Sequence, residues 1–135
     1  MVDLNVMAVK IKEVLEKVPG IQQAFDHEPQ EMSILPAATV YFDGFSQIEA
    51  TTRRSSVDWR WTIRVYIPIQ TSDIQLPQTE VRNLAVKTIK QFRNDMNLGG
   101  SCLYSTISAG EIYALLEQNN PNLVAELQLV TTTEE

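Results

Sequence analysis

From Ser56 to Ile69 the chain alternates without a break. Val57, Trp59, Trp61, Ile63, Val65, Ile67 and Ile69 hold one parity, and Ser56, Asp58, Arg60, Thr62, Arg64, Tyr66 and Pro68 hold the other. Successive side chains of a strand point to opposite faces, so this spacing predicts a β-strand with one apolar and one mostly polar face. A strand of about 13 residues spans roughly 40 Å, twice the usual length. The chain has 135 residues, enough for one domain and one core. A core of that size can hardly cover such a strand. The strand must therefore bend at a bulge, or leave the body as one limb of a long β-hairpin arm. Thr51-Thr52-Arg53-Arg54-Ser55-Ser56 would form the polar tip. Arms that carry β-structure beyond their own core pack against another subunit.

The remaining segments supply the other layer. Leu4, Met7, Ala8, Ile11, Val14, Leu15 and Val18 recur at three- and four-residue steps, which predicts a helix over Leu4 to Val18. Asp3 is placed to cap it, and Pro19-Gly20 to stop it. A second helix is expected over Gln78 to Asn97, with Val81, Leu84, Ala85, Thr88, Ile89, Phe92 and Met96 as its apolar stripe and Gly99-Gly100 beyond its end. Ala37 to Phe42 reads as a strand, Asp43-Gly44 as a turn or bulge, and Phe45 to Thr51 as extended chain. Further strands are expected around Cys102 to Ile107 and over Leu123 to Val130. Ala109-Gly110 reads as a turn, Glu111 to Leu116 as strand or short helix, Asn119 to Asn122 as a turn, and Thr131 to Glu135 as a fraying polar tail. Two one-striped helices each need a sheet face. The expected fold is α+β, an antiparallel or mixed sheet with two helices packed on one face.

Chemistry is sparse. Cys102 is the single cysteine and His27 the single histidine. An intrachain disulfide and a multi-cysteine zinc site are excluded, and a reducing compartment is expected. The start, Met1 to Val6, has no basic residue before an apolar run, so no signal peptide is expected. No apolar run has the length of a membrane span. The five glycines build neither a phosphate loop nor a dinucleotide fingerprint. His27 lies among Asp26, Glu28 and Glu31 in what reads as a solvated acidic loop. Cys102 lies at the start of a strand, where a free cysteine behaves as a small hydrophobe. Asp58 and Arg60 share a strand face and are each other's expected partner. Trp59 and Trp61 alternate with Arg60 and Arg64, but the parity puts the rings and the cations on opposite faces. The tryptophans are therefore assigned to the core and not to base stacking. No catalytic, cofactor-binding or metal site is expected.

Charge is distributed unevenly. Eleven Lys and Arg stand against 17 Asp and Glu, for a formal net charge of −6. That balance disfavours clamping of a polyanion. No Lys or Arg follows Arg93, whereas Arg53, Arg54, Arg60 and Arg64 lie close together. The split suits head-to-tail association of subunits.

The order of these segments resembles the tail terminator proteins of long-tailed bacteriophages, also called tail-to-head joining or minor tail proteins. The resemblance rests on the helix Leu4–Val18, on Leu35-Pro36-Ala37-Ala38-Thr39-Val40-Tyr41-Phe42, and on the returning strand Trp59-Arg60-Trp61-Thr62-Ile63-Arg64-Val65-Tyr66-Ile67. Val81-Arg82-Asn83-Leu84 and the closing strand Leu123 to Val130 complete it. It covers most of the chain and is one of layout, without an invariant motif. It implies a structural virion protein, assembled in the host cytoplasm, in which six copies of the chain form a ring at the head-proximal end of the tail. The partners so implied are the chain itself, the tail tube protein on one side and the head connector or completion protein on the other. DNA passes through the hole without sequence recognition, and an acidic lumen would suit that passage. No cofactor and no membrane are implied. A head completion or connector adaptor protein, and a small non-viral binding domain, fit the same layout. On the charge split, Arg53, Arg54, Asp58, Arg60 and Arg64 are the expected subunit contacts, meeting acids of the later half such as Glu111 and Glu126.

Overall fold

The computed structural model describes residues 2–32, 34–49, 55–69, 75–116 and 121–134. Helix α1 (Leu4–Glu16) starts where Asp3 accepts hydrogen bonds from the amides of Asn5 and Val6. Those two amides have no partner inside the helix, which is why a carboxylate is favoured there. A short strand β1 (Gln23–Ala24) follows in the stretch where the sequence shows no period. Next come β2 (Ala37–Glu49), β3 (Ser55–Pro68), helix α2 (Gln75–Asn94), β4 (Tyr104–Leu115) and β5 (Asn122–Glu134). The five strands form one sheet in the order β1-β2-β3-β5-β4, antiparallel except for β1 beside β2. The α+β architecture expected from the periodicities is thus the one found.

Both helices lie on one side of the sheet. The stripe Met7, Ile11, Val14 and Leu15 of α1 and the stripe Val81, Leu84 and Phe92 of α2 join one core. Ala38 and Val40 of β2, Trp61, Ile63, Val65 and Ile67 of β3, and Ala125, Leu127 and Leu129 of β5 complete it. The long strand pays for its length by sitting in the middle. It pairs with β2 from Ala37↔Tyr66 to Glu49↔Ser55, and with β5 from Pro68↔Asn122 to Ser56↔Glu134. The hairpin is long, but β5 supports its β3 limb throughout. The proposed tip residues Arg53 and Arg54 lie outside the described residues.

Three local expectations are corrected. The tail does not fray: Thr131, Thr132 and Thr133 are buried in β5. Threonine reads as polar in a hydropathy pattern but is β-branched, and here its hydroxyls find partners. Thr131 accepts from the indole of Trp61 (3.2 Å), Thr133 from that of Trp59 (3.0 Å), and Thr132 donates to Asp58 (2.7 Å). Second, Ala109-Gly110 is not a turn. Strand β4 runs through it, with a register shift between Ile107 and Ala109. Third, α2 begins at Gln75 and ends at Asn94, three residues earlier than the pattern suggested. Asp43-Gly44, expected as a turn or bulge, makes a bulge inside β2, between Phe42↔Trp61 and Gly44↔Arg60. Gly44 has φ +150°, and a Cβ there would stand 3.0 Å from the Arg60 guanidinium. The bulge keeps Phe42 and Phe45 on the helix side although they are three residues apart.

Candidate interaction surfaces

No described helix covers the other sheet face, although Thr39, Thr62 and Tyr66 on it are buried. Its residues follow from register: Thr39, Tyr41 and Asp43 on β2; Asp58, Arg60, Thr62, Arg64 and Tyr66 on β3; Glu126 and Gln128 on β5; Glu111 and Tyr113 on β4. Arg64 lies at the centre. Its Nη1 is 2.6 Å from Glu28 and its Nε 2.9 Å from Glu126. Thr39 and Tyr66 donate to Glu28, and Tyr113 donates to Glu126. Burial and the Glu28 charge push the Tyr66 phenol up to about 12, so it stays a donor at neutral pH. Thr62 donates its one hydroxyl proton to Asp43 and lies 3.3 Å from the side-chain amide of Gln128.

This network redraws the expected charge pairs. Arg64 and Glu126 are indeed partners, but within one chain. Asp58 and Arg60 are not partners: Asp58 takes the Thr132 hydroxyl and Arg60 donates to Ser46 (2.5 Å). Glu111 is exposed on β4, directly opposite Glu126. The loop over Asp26 to Glu31 is only partly the solvated loop the sequence suggested. Glu28 folds back to the helix-free face, whereas His27 meets the Asp26 carboxylate at 2.7 Å in solvent. No pattern in the sequence pointed to Glu28, since its partners come from strands many residues away.

Among the described residues no group of three or more His, Cys, Asp or Glu is arranged to hold a metal ion. His27 and Cys102 sit at opposite edges of the sheet. Burial pushes the Cys102 thiol up to about 11, and its sulfur faces the Met96 carbonyl, so it is protonated and inert at neutral pH. No described helix is long and apolar enough to cross a membrane.

The edges of the sheet are the second surface. Strand β4 forms one edge. On the other edge, β1 covers β2 only at Ala37 and Ala38, so among the described residues the outer side of β2 has no strand partner from Thr39 to Glu49. Exposed edges carry free N–H and C=O groups that pair with other chains, and monomeric proteins blunt them with lysine, proline or covering elements. Strand β4 has neither lysine nor proline, and Glu111 is its one charge. The absence of Lys and Arg after Arg93 was legible in the sequence; that it describes an edge strand was not. Small residues on β4 leave a groove beneath α2, with two cavities of about 410 and 460 Å³ that share Ile89 and Ile107.

Neither a model of a known protein family nor a curated protein matches this sequence.

Proposed function

We propose that this chain is a ring-forming structural protein of a long-tailed bacteriophage, which ends the tail tube and offers a docking surface to the head. The reading rests on the likeness of its layout to tail terminator proteins. One observation supports it most: a sheet that ends in unguarded edges on both sides. Two different free edges suit head-to-tail association, and such contacts close into a ring of fixed copy number when the rotation from copy to copy closes. In this reading function lies in two ring faces and a hole, with the tube on one side and the head connector on the other.

The helix-free sheet face is suited to line the hole. It carries Asp43, Asp58, Glu111 and Glu126 against Arg60 and Arg64, and Arg64 is already neutralised by Glu28 and Glu126. Surplus carboxylate repels phosphate, so DNA slides without sticking.

The deciding experiment adds the purified protein to tail tube protein from the same genome during polymerisation. Growth should stop, with a ring at one tube end in negative stain and a species at six times the 15.3 kDa subunit mass in native mass spectrometry. The same preparation should leave duplex DNA unshifted at physiological salt. Tubes that grow on uncapped would refute the terminator role. Binding to the head connector in place of the tube would assign the chain to the head side of the neck.

A further inference from the structure

The groove under α2 has the character of an unfilled site. Ile89, Phe92, Met96 and Ile107 line it, and Met96 is 48% exposed. The hydroxyl of Ser105, a residue only 4% exposed, belongs to the same lining and has no hydrogen-bond partner among the described residues. Buried hydroxyls are rarely left unpaired, because an unmade bond costs the full desolvation of the group. The groove runs along a strand edge that has no further strand partner among the described residues. An apolar trough beside a free edge is the geometry that accepts an added strand, with its main chain on the edge and alternate side chains in the trough.

We infer that the occupant is a second copy of this chain, whose β2 edge adds to β4 so that the sheet continues from subunit to subunit. The choice of a second copy rests on the ring reading above, and three features of the molecule support it. The first is direction. Strand β4 runs antiparallel to β2 within the subunit. A neighbour placed edge to edge with its strands kept in the same sense therefore presents β2 to β4 in the favoured antiparallel manner.

The second is level. Ser105 stands opposite Thr131, which stands opposite Trp59, which stands opposite Phe45. In a sheet continued without stagger, Phe45 of the second copy comes level with Ser105 and the groove. Phe45 is on the helix side of its sheet and is 60% exposed, a large ring without a full complement of neighbours in the single chain. On the other edge, β1 stops at Ala24, so it leaves this stretch of β2 uncovered.

The third is charge. Arg82, Val86, Ile89 and Arg93 follow at helical spacing along the flank of α2 that overhangs β4, with Lys90 next to them. None of the ion pairs of the described residues uses Arg82, Lys90 or Arg93. A symmetric β4-to-β4 contact would set two such flanks side by side and leave both β2 edges bare. The β4-to-β2 contact instead sets each basic flank beside a β2 edge that carries no Lys or Arg.

Two exposed substitutions, one on each side of the contact, test the inference. Phe45→Lys removes the inserted ring and meets Arg93; Met96→Lys places a cation in the groove. Circular dichroism and thermal unfolding should show both variants folded. Sedimentation velocity from micromolar to millimolar concentration should show the unaltered chain associated and each variant monomeric. Mixed in equal amounts, the variants should form dimers and nothing larger, because one intact β4 side meets one intact β2 side once. An unaltered chain that stays monomeric throughout would overturn the inference, with tube capping still deciding the function separately. Association that survives both substitutions would also overturn it while leaving the ring reading intact. Loss with Met96→Lys alone would mean a symmetric β4 contact and would reject the head-to-tail arrangement.

Discussion

Trp61→Ala is expected to destabilise the protein by about 3–5 kcal/mol, the usual cost of truncating a fully buried large aromatic. Trp61 is 2% exposed, lies on the central strand, and has its ring 4.9 Å from that of Phe42 in an edge-to-face contact. Its indole donates to Thr131, whose hydroxyl in turn lies 3.1 Å from the Met7 sulfur. The substitution opens a cavity between α1 and the sheet and leaves Thr131 short of a partner. Urea unfolding of the two proteins side by side measures it. A loss below about 1 kcal/mol would show that the core collapses around the site. Trp59→Ala is the internal comparison and should cost less. The sequence treats both tryptophans as core, but Trp59 is only partly buried, at the rim with Phe42 and Phe45.

Arg64→Met is expected to cost about 2 kcal/mol at neutral pH. Removing one member of a buried ion pair costs roughly 3–5 kcal/mol, and water reaching the helix-free face discounts that figure. Arg64 and Glu28 keep 28% and 29% of their side chains exposed, and Glu126 16%. The variant leaves two carboxylates without their shared cation. The two carboxylates then share one site without a counter-charge, and because water reaches this face, salt should screen their repulsion and shrink the deficit. Glu28 also loses its anchor, so the loop from Asp26 to Glu31 should become open to proteases. Unfolding measured at low and high salt, with limited proteolysis, checks both parts. A deficit of the same size at both salt concentrations would mean that lost packing of the arginine stem, and not charge, is responsible.

The strand from Ser56 to Ile69 and the two amphipathic helices were legible because burial imposes a period. A strand face repeats every second residue and a helix stripe every three or four, and those spacings survive in one dimension. Asp3 and Gly44 were legible for a similar reason, since capping and bulge formation are settled within a few neighbouring residues. The two-layer α+β class followed, because each one-sided element requires a covering layer.

Other features are relations between distant segments. Thr131 to Thr133 looked like a polar tail, and only pairing with β3 and the two indoles makes them core. Ala109-Gly110 looked like a turn, and only the ladder to β5 keeps it extended. Glu28 looked solvated until the fold set it beside Arg64, 36 residues away. The sequence by itself determined which faces of the two helices and of the central strand turn inward, because solvent exclusion acts on local period. Strand order, and with it which edges stay bare and which charges are already paired, was decided only by the tertiary structure, because backbone pairing across a sheet carries no signature in the side chains of a single segment.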